Sequence, residues 1–158
     1  MKLADRCALA VVTCGGIGLM RVAPGTYASL AAAGALYGLE RAGLSSTLLL
    51  ATLTLAASIL CVALGGWSER HFGGKDPGAV VIDEAAGQWL ALCVPIRERE
   101  PLLTFALAFA LFRLFDILKP LGIRRLQAAP RGWGILLDDL VAGLCAAGII
   151  QGVAMCIA

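Results

Sequence analysis

Apolar residues run almost unbroken along this chain, and short polar interruptions cut them into segments of helical length. Leu3 to Thr13 is a first short segment, suited to an interfacial or half-buried helix. The next stretch, Cys14-Gly15-Gly16-Ile17-Gly18 and then Val22-Ala23-Pro24-Gly25-Thr26, is punctuated by glycine and proline and forbids one continuous helix. Thr26 is expected as the N-cap of a helix reaching about Arg41. That helix is short for a full crossing, since about 20 residues are needed to span about 30 Å of hydrocarbon. A second helix is predicted from about Ser45 to Gly66, uncharged and long enough to cross. Trp67 to Pro77 reads as a polar loop or a helical extension. A third helix is predicted over about Gly78 to Val94, with Asp76 as its cap and Pro77 in its first turn. Arg97-Glu98-Arg99-Glu100 is a hydrophilic turn. A fourth helix covers about Pro101 to Lys119, a basic connector runs from Lys119 to Arg131, and a fifth helix begins near Gly134. The pattern predicts an all-α, polytopic membrane helix bundle of about four to five main helices plus short interfacial ones. With no internal repeat and no low-complexity linker, residues 1–158 read as a single domain.

Composition removes the soluble alternative. Of 158 residues, 59% are hydrophobic and 15% charged, against about 45–50% and about 25% in soluble domains. A domain this small has too much surface to hide the excess, and the mean hydropathy of +0.85 excludes disorder as well. The net charge of +2 is too small and too scattered for a nucleic-acid binder. The six cysteines contain no CxxC pair and His71 is the sole histidine, so a Cys/His zinc site is not expected. Cys61, Cys93, Cys145 and Cys156 read as small buried hydrophobes. Trp67, Trp89 and Trp133 suit an interfacial belt. The Gly148-x-x-x-Gly152 spacing permits close helix packing, within the bundle or between copies, and leaves the oligomeric state open.

Basic residues fix an expected orientation. If the Thr26–Arg41 helix and its successors all cross, one side holds Lys2, Arg6, Arg21, Arg70, Lys75, Lys119, Arg124, Arg125 and Arg131, and the other Arg41, Arg97 and Arg99. The richer side is then cytoplasmic, with the N-terminus inside and the C-terminus outside.

Five carboxylates stand against the apolar pattern: Asp83, Glu84, Asp116, Asp138 and Asp139. Acids within membrane helices are costly, and this makes them functional candidates. Asp83 lies about 9 Å along its helix from Pro77 at 1.5 Å per residue, Asp116 one turn before Lys119, and Asp138 about two turns after Arg131. Antiparallel helices would bring all of them to one depth near the cytoplasmic face. Such a group repels itself unless cations hold it, and oxygen ligands make Mg²⁺ the first candidate. Arg113, Asp116 and Lys119 share a broad helix face. There Arg113 could clamp a phosphate through two bonds and Lys119 act as a point charge, and backbone N–H groups near Thr26 also suit phosphate. Plainer roles compete: Asp138 and Asp139 favour the first turns of a helix, and Arg113 with Asp116 could be a structural pair between helices. A small carboxylate-lined ion or proton transporter is the rival from another class. Such sites tend to lie at the midplane between repeated halves, whereas these acids gather at one face.

Four ordered motifs carry a family resemblance: Ala23-Pro24-Gly25-Thr26-x-x-Ser29-Leu30; Val81-Ile82-Asp83-Glu84-x-x-Gly87; Phe112-Arg113-x-x-Asp116-x-x-Lys119-Pro120-x-x-Ile123; and Gly132-x-Gly134-Ile135-x-x-Asp138-Asp139-x-x-Ala142-Gly143. Over about Gly15 to Gly143 the chain resembles the phosphatidylglycerophosphatase A family, with Tyr27 where a small residue is usual and Gly122 where a second proline is common. The resemblance implies Mg²⁺-dependent dephosphorylation of phosphatidylglycerophosphate to phosphatidylglycerol at a bacterial inner membrane, with the active site facing the cytoplasm. Asp83, Glu84, Asp116, Asp138 and Asp139 are then the expected metal ligands. Glu84 or Asp138 would position or deprotonate water and Lys119 would offset phosphoryl charge. Thr26, Ser29, Arg113, Lys119 and Arg124 are the expected contacts to the substrate. A phosphatase for another membrane lipid or a prenyl phosphate fits the same residues.

Overall fold

The computed structural model describes residues 2–93, 101–120 and 123–156, with nothing given for the side chains of residues 124 and 125. The turn expected at Arg97–Glu100, the departure at Gly122 and the Arg124 side chain therefore lie outside the described residues. Among those described the chain is all-helical: α1 (Leu3–Val12), α2 (Pro24–Arg41), α3 (Thr47–Phe72), α4 (Ile82–Ala91), α5 (Pro101–Leu118) and α6 (Gly132–Cys156), with short 3₁₀ turns at Ile17–Leu19 and Ile123–Ala128.

Three of the helices, α3, α5 and α6, are long and apolar enough to cross a membrane. Their outward flanks keep large side chains exposed, among them Leu55, Ile59, Leu107, Ile117, Leu144 and Val153. α3 opens on Ser46, whose Oγ accepts a hydrogen bond from the Leu49 N–H at 3.1 Å. It runs past the expected end at Gly66 because nothing between Trp67 and Phe72 breaks a helix, and it stops at Gly73 in the left-handed conformation.

Two expected starts are corrected. α2 begins at Pro24, not after Thr26: Ala23 is the N-cap, and the Thr26 N–H already donates to the Ala23 carbonyl at 3.0 Å. Proline lacks the N–H that a first turn leaves unused, so it moves the start back. α4 is also shorter than the expected Gly78–Val94 span. It has 10 residues, about 15 Å, half the depth of the hydrocarbon. The preceding residues are taken up by another contact, in which the Val81 N–H donates to the Val12 carbonyl at 2.8 Å. Asp76 is accordingly not a cap. It sits at φ +48° and accepts a hydrogen bond from Gln127 Nε2 at 2.7 Å.

This half-length helix is the centre of the bundle, packed on α2, α3, α5 and α6. Close approach is made possible by missing side chains. A Cβ at Gly143 would overlap the Gly87 carbonyl, and one at Gly87 would overlap the Phe112 ring and the Asp139 carbonyl. Gly65 and Gly132 bring α3 and α6 together in the same way. In lipid, where no hydrophobic force drives helices together, such contacts supply much of the attraction. At its far end α4 leads to Leu92, which packs with Leu50 and Phe105 near the starts of α3 and α5. A Cβ at Gly148 or Gly152 would meet nothing within 4 Å, so among the described residues that spacing serves no close helix crossing.

Smaller expectations also change. Cys61 is buried and Cys93 and Cys145 half-buried, but Cys156 is exposed near the end of α6. Trp89 is not a belt residue: its Nε1 donates to the Ala32 carbonyl at 3.3 Å and ties α4 to α2. Trp67 donates to Asp5 Oδ1 at 3.1 Å and stacks on His71. Trp133 remains 49% exposed.

Candidate active site

Three helix ends meet where α5 finishes and α6 begins. Asp83 and Glu84 occupy the first turn of α4, where the helix dipole favours negative charge. Asp116 comes from the last turns of α5, and Asp138 and Asp139 from the second turn of α6. Carboxylate oxygens of Asp83, Glu84 and Asp139 lie within 4.8 Å of one another, and so do those of Asp116, Asp138 and Asp139. Asp139 belongs to both groups, so the five acids form two oxygen-lined positions that share one residue. The aspartates are buried, the most exposed being Asp116 at 9%.

Burial makes their unused atoms informative. Asp83 Oδ1, Glu84 Oε2 and Asp138 Oδ1 have no hydrogen-bond partner. Each such atom costs about 1–3 kcal/mol, and more when charged. Small, hard divalent cations with oxygen ligands would satisfy them, and the donor set therefore fits Mg²⁺. Neither group contains sulfur or imidazole. Cys14, nearby in the Gly-rich stretch, is pushed up to about 11, first by burial and then by the Glu84 charge. It remains a thiol at neutral pH and offers no nucleophile.

Two cations complete the arrangement. Arg113 Nη1 stands 2.6 Å from Asp116 Oδ2. This pair lies within α5, three residues apart, not between helices as one sequence reading allowed. The approach is close but badly aligned, and Arg113 Nε and Nη1 have no hydrogen-bond acceptor. Lys119 ends α5 at φ +44°. Its Nζ donates to Asp138 Oδ2 and lies 3.9 Å from Asp116 Oδ1. Burial by itself would lower the Lys119 pKa, but the Asp138 hydrogen bond and the charges of Asp138, Asp116 and Asp139 outweigh it, and the pKa is raised.

The first turn of α2 lies over this group. A Cβ at Gly25 would overlap the Glu84 carboxylate and stand 3.3 Å from Arg113 Nη1. Ser29, fully buried, donates its Oγ hydrogen to the Gly25 carbonyl at 2.8 Å. It thus supports the turn facing Glu84, with its proton committed. Thr26 is half-buried one residue after Gly25. The structure thus gathers all five acids, Arg113, Lys119 and the α2 turn at one site.

Two residues of this region were not singled out from the sequence. Gly25 was quoted only as part of a motif, although a glycine followed by a helix start is a signal for close approach. Gln88 was passed over. It is fully buried, with neither amide atom partnered, and a lone amide in the apolar run after Glu84 was the available signal.

Comparison with known proteins agrees with this arrangement. The family model for phosphatidylglycerophosphatase A matches residues 10–154. A Bacteroides thetaiotaomicron protein, named provisionally as a phosphatidylinositol-3-phosphatase, is 41% identical over 136 residues, covering 82% of each chain. Phosphatidylglycerophosphatase A of Haemophilus influenzae is 36% identical over 141 residues, 85% of this chain and 81% of its own. That of Escherichia coli K12 is 33% identical over 141 residues, 85% and 76%. No solved structure matches. A match across nearly the whole chain, with the acids, the cations and the glycine turn of all four motifs folded into one site, means that the chain belongs to the phosphatidylglycerophosphatase A family.

Proposed function

We propose that the protein hydrolyses phosphatidylglycerophosphate to phosphatidylglycerol and phosphate with Mg²⁺, at the cytoplasmic face of a bacterial inner membrane. The observation that carries this reading is the pair of acid groups sharing Asp139 at one end of the apolar helices. A water-soluble phosphate group could reach acids at that end while lipid tails stay beside the exposed leucines and isoleucines of α3, α5 and α6. The names of the Haemophilus and Escherichia relatives support the substrate.

Asp83, Glu84, Asp116, Asp138 and Asp139 would hold the metal. When bound, Mg²⁺ supplies positive charge that polarises the phosphoryl oxygens and acidifies water. The chain supplies the rest. Arg113, whose Nε is unused while Nη1 faces Asp116, binds phosphoryl oxygens, and Lys119 offsets their charge. Water attacks phosphorus and the bond from phosphorus to the glycerol oxygen breaks. Each of Glu84 and Asp138 keeps one carboxylate oxygen without a partner, but the Lys119 ammonium on the other oxygen of Asp138 makes that acid the weaker base, which leaves Glu84 as the better proton acceptor. The proton it takes is the one the departing glycerol oxygen needs. A phosphatase for a different lipid phosphate is the second reading, favoured by the name of the Bacteroides relative.

Phosphate release from purified protein tests both. Activity on phosphatidylglycerophosphate should vanish with excess chelator and return with Mg²⁺, while Ca²⁺, larger and looser in geometry, should restore it poorly. Full activity in chelator would sink the metal-dependent reading. Orientation is tested separately in a cysteine-free background. A cysteine replacing Arg41 should react with an impermeant thiol reagent applied to spheroplasts with intact inner membranes. One replacing Lys75 should react only after permeabilisation. Both residues are exposed, and the reverse pattern would put the chemistry outside.

A further inference from the structure

Gln88 is fully buried, and neither Nε2 nor Oε1 has a hydrogen-bond partner. An amide in that state is unfavourable through both its donor and its acceptor, and a leucine would fill the same place without the penalty. Its position indicates where a partner belongs. Gln88 stands four residues after Glu84, on the same face of α4, about 6 Å further along at 1.5 Å per residue. Glu84 Oε2 and Arg113 Nε are equally unpartnered, and Gly25 marks where those two side chains converge. A cation accounts for the carboxylate oxygens. At Gln88 it could serve Oε1 at most and would leave the donor Nε2 without an acceptor.

The direction of α4 supplies the rest. From the acids it leads inward to Leu92, packed near the opposite ends of α3 and α5. A lipid with its phosphate at the acids and its tails in the bilayer would place its remaining headgroup on the inward side of the acids, the side on which Gln88 follows Glu84 along α4. We propose that Gln88 is a specificity-determining residue that pairs with the hydroxyl on the carbon next to the phosphorylated carbon of the headgroup. This rests on the lipid-phosphatase reading above. A hydroxyl donates and accepts, as the amide does, so one group can satisfy both orphaned atoms. Glycerol phosphate and inositol phosphate headgroups both carry such a hydroxyl. Phosphatidic acid does not, because its adjacent carbon bears an acyl ester. Gln88 therefore selects polyol phosphates within the lipid pool.

The test pairs two enzymes with two substrates. Full-length wild type and Gln88→Leu, in detergent–lipid micelles with Mg²⁺, are assayed on phosphatidylglycerophosphate and on its analogue with propane-1,3-diol in place of the phosphorylated glycerol. Wild type should prefer the hydroxylated lipid by at least about tenfold in kcat/KM. Gln88→Leu should lose that factor on the hydroxylated lipid and leave the deoxy lipid unchanged, with an equal or higher Tm. If Leu fails to fold, Gln88→Met, which keeps the length of the side chain, reads the same difference. Equal loss on both lipids would assign Gln88 to the fold or to a buried water, and no loss on either would leave it without a role; both overturn the proposal. Wild type releasing phosphate from neither lipid would instead overturn the phosphatase reading itself.

Discussion

Replacing Asp139 with asparagine should lower kcat by at least about 10³-fold while leaving the fold intact. Of the five acids, Asp139 alone contributes an oxygen to both groups, so the change disturbs two positions with one charge. Asparagine keeps the size of the side chain, and nothing in the packing around residue 139 has to move. Without metal the variant should be as stable as wild type or more so, because one of several crowded negative charges is gone. Isothermal titration with Mg²⁺, next to a melting curve in chelator, separates the two effects. Asp83→Asn touches one group only and should weaken metal binding less. If Asp139→Asn bound Mg²⁺ as wild type does and kept normal turnover, the shared-ligand arrangement would be wrong.

A second pair of substitutions should divide folding from chemistry. Gly143→Ala should destabilise by about 1–3 kcal/mol or more. Its new Cβ would meet the backbone carbonyl of Gly87, which has no rotamer to relieve the overlap, and α4 would have to part from α6. Gly25→Ala meets a side chain instead, the Glu84 carboxylate, which can swing aside. Tm should then barely change, but a displaced Glu84 should cost on the order of 10²-fold in kcat. Melting curves and turnover measured on the same two preparations decide it. Loss of stability in Gly25→Ala with normal specific activity of the folded fraction would mean that the α2 turn is only a packing element.

The long apolar helices were legible because hydropathy alone defines them, and the acids because charge in an apolar helix is conspicuous. The shape of α4 was not. Gly78 to Val81 is apolar and follows a plausible cap and proline, so local pattern favours helix. What overrides it is a distant partner, the Val12 carbonyl that takes the Val81 N–H. The start of α2 was missed for a related reason, since Thr26 is a better capping type than Ala23, and only the backbone of Ala23 at φ +45° reveals the choice. The acids' shared depth could be counted from helix ends, but not that Asp139 faces both groups, because one helix turn leaves several faces open. Gln88 was overlooked because one neutral polar residue barely alters a hydropathy average.

The glycine crossings also bear on how the chain can change over evolutionary time. Where α4 meets α6 and α3 meets α6, a single methyl group is too much, so these columns of the sequence have almost no neutral alternatives. The outward flanks are the opposite. There Leu55, Ile59, Leu107 or Val153 stands exposed with no neighbouring helix to fit, and exchange among aliphatic side chains is nearly free of consequence. Mutational drift is thereby confined to the perimeter of the bundle while its axis stays fixed. A gene of this kind can lose most of its letter-by-letter likeness to an ancestor and still keep two buried acid groups at the same spacing.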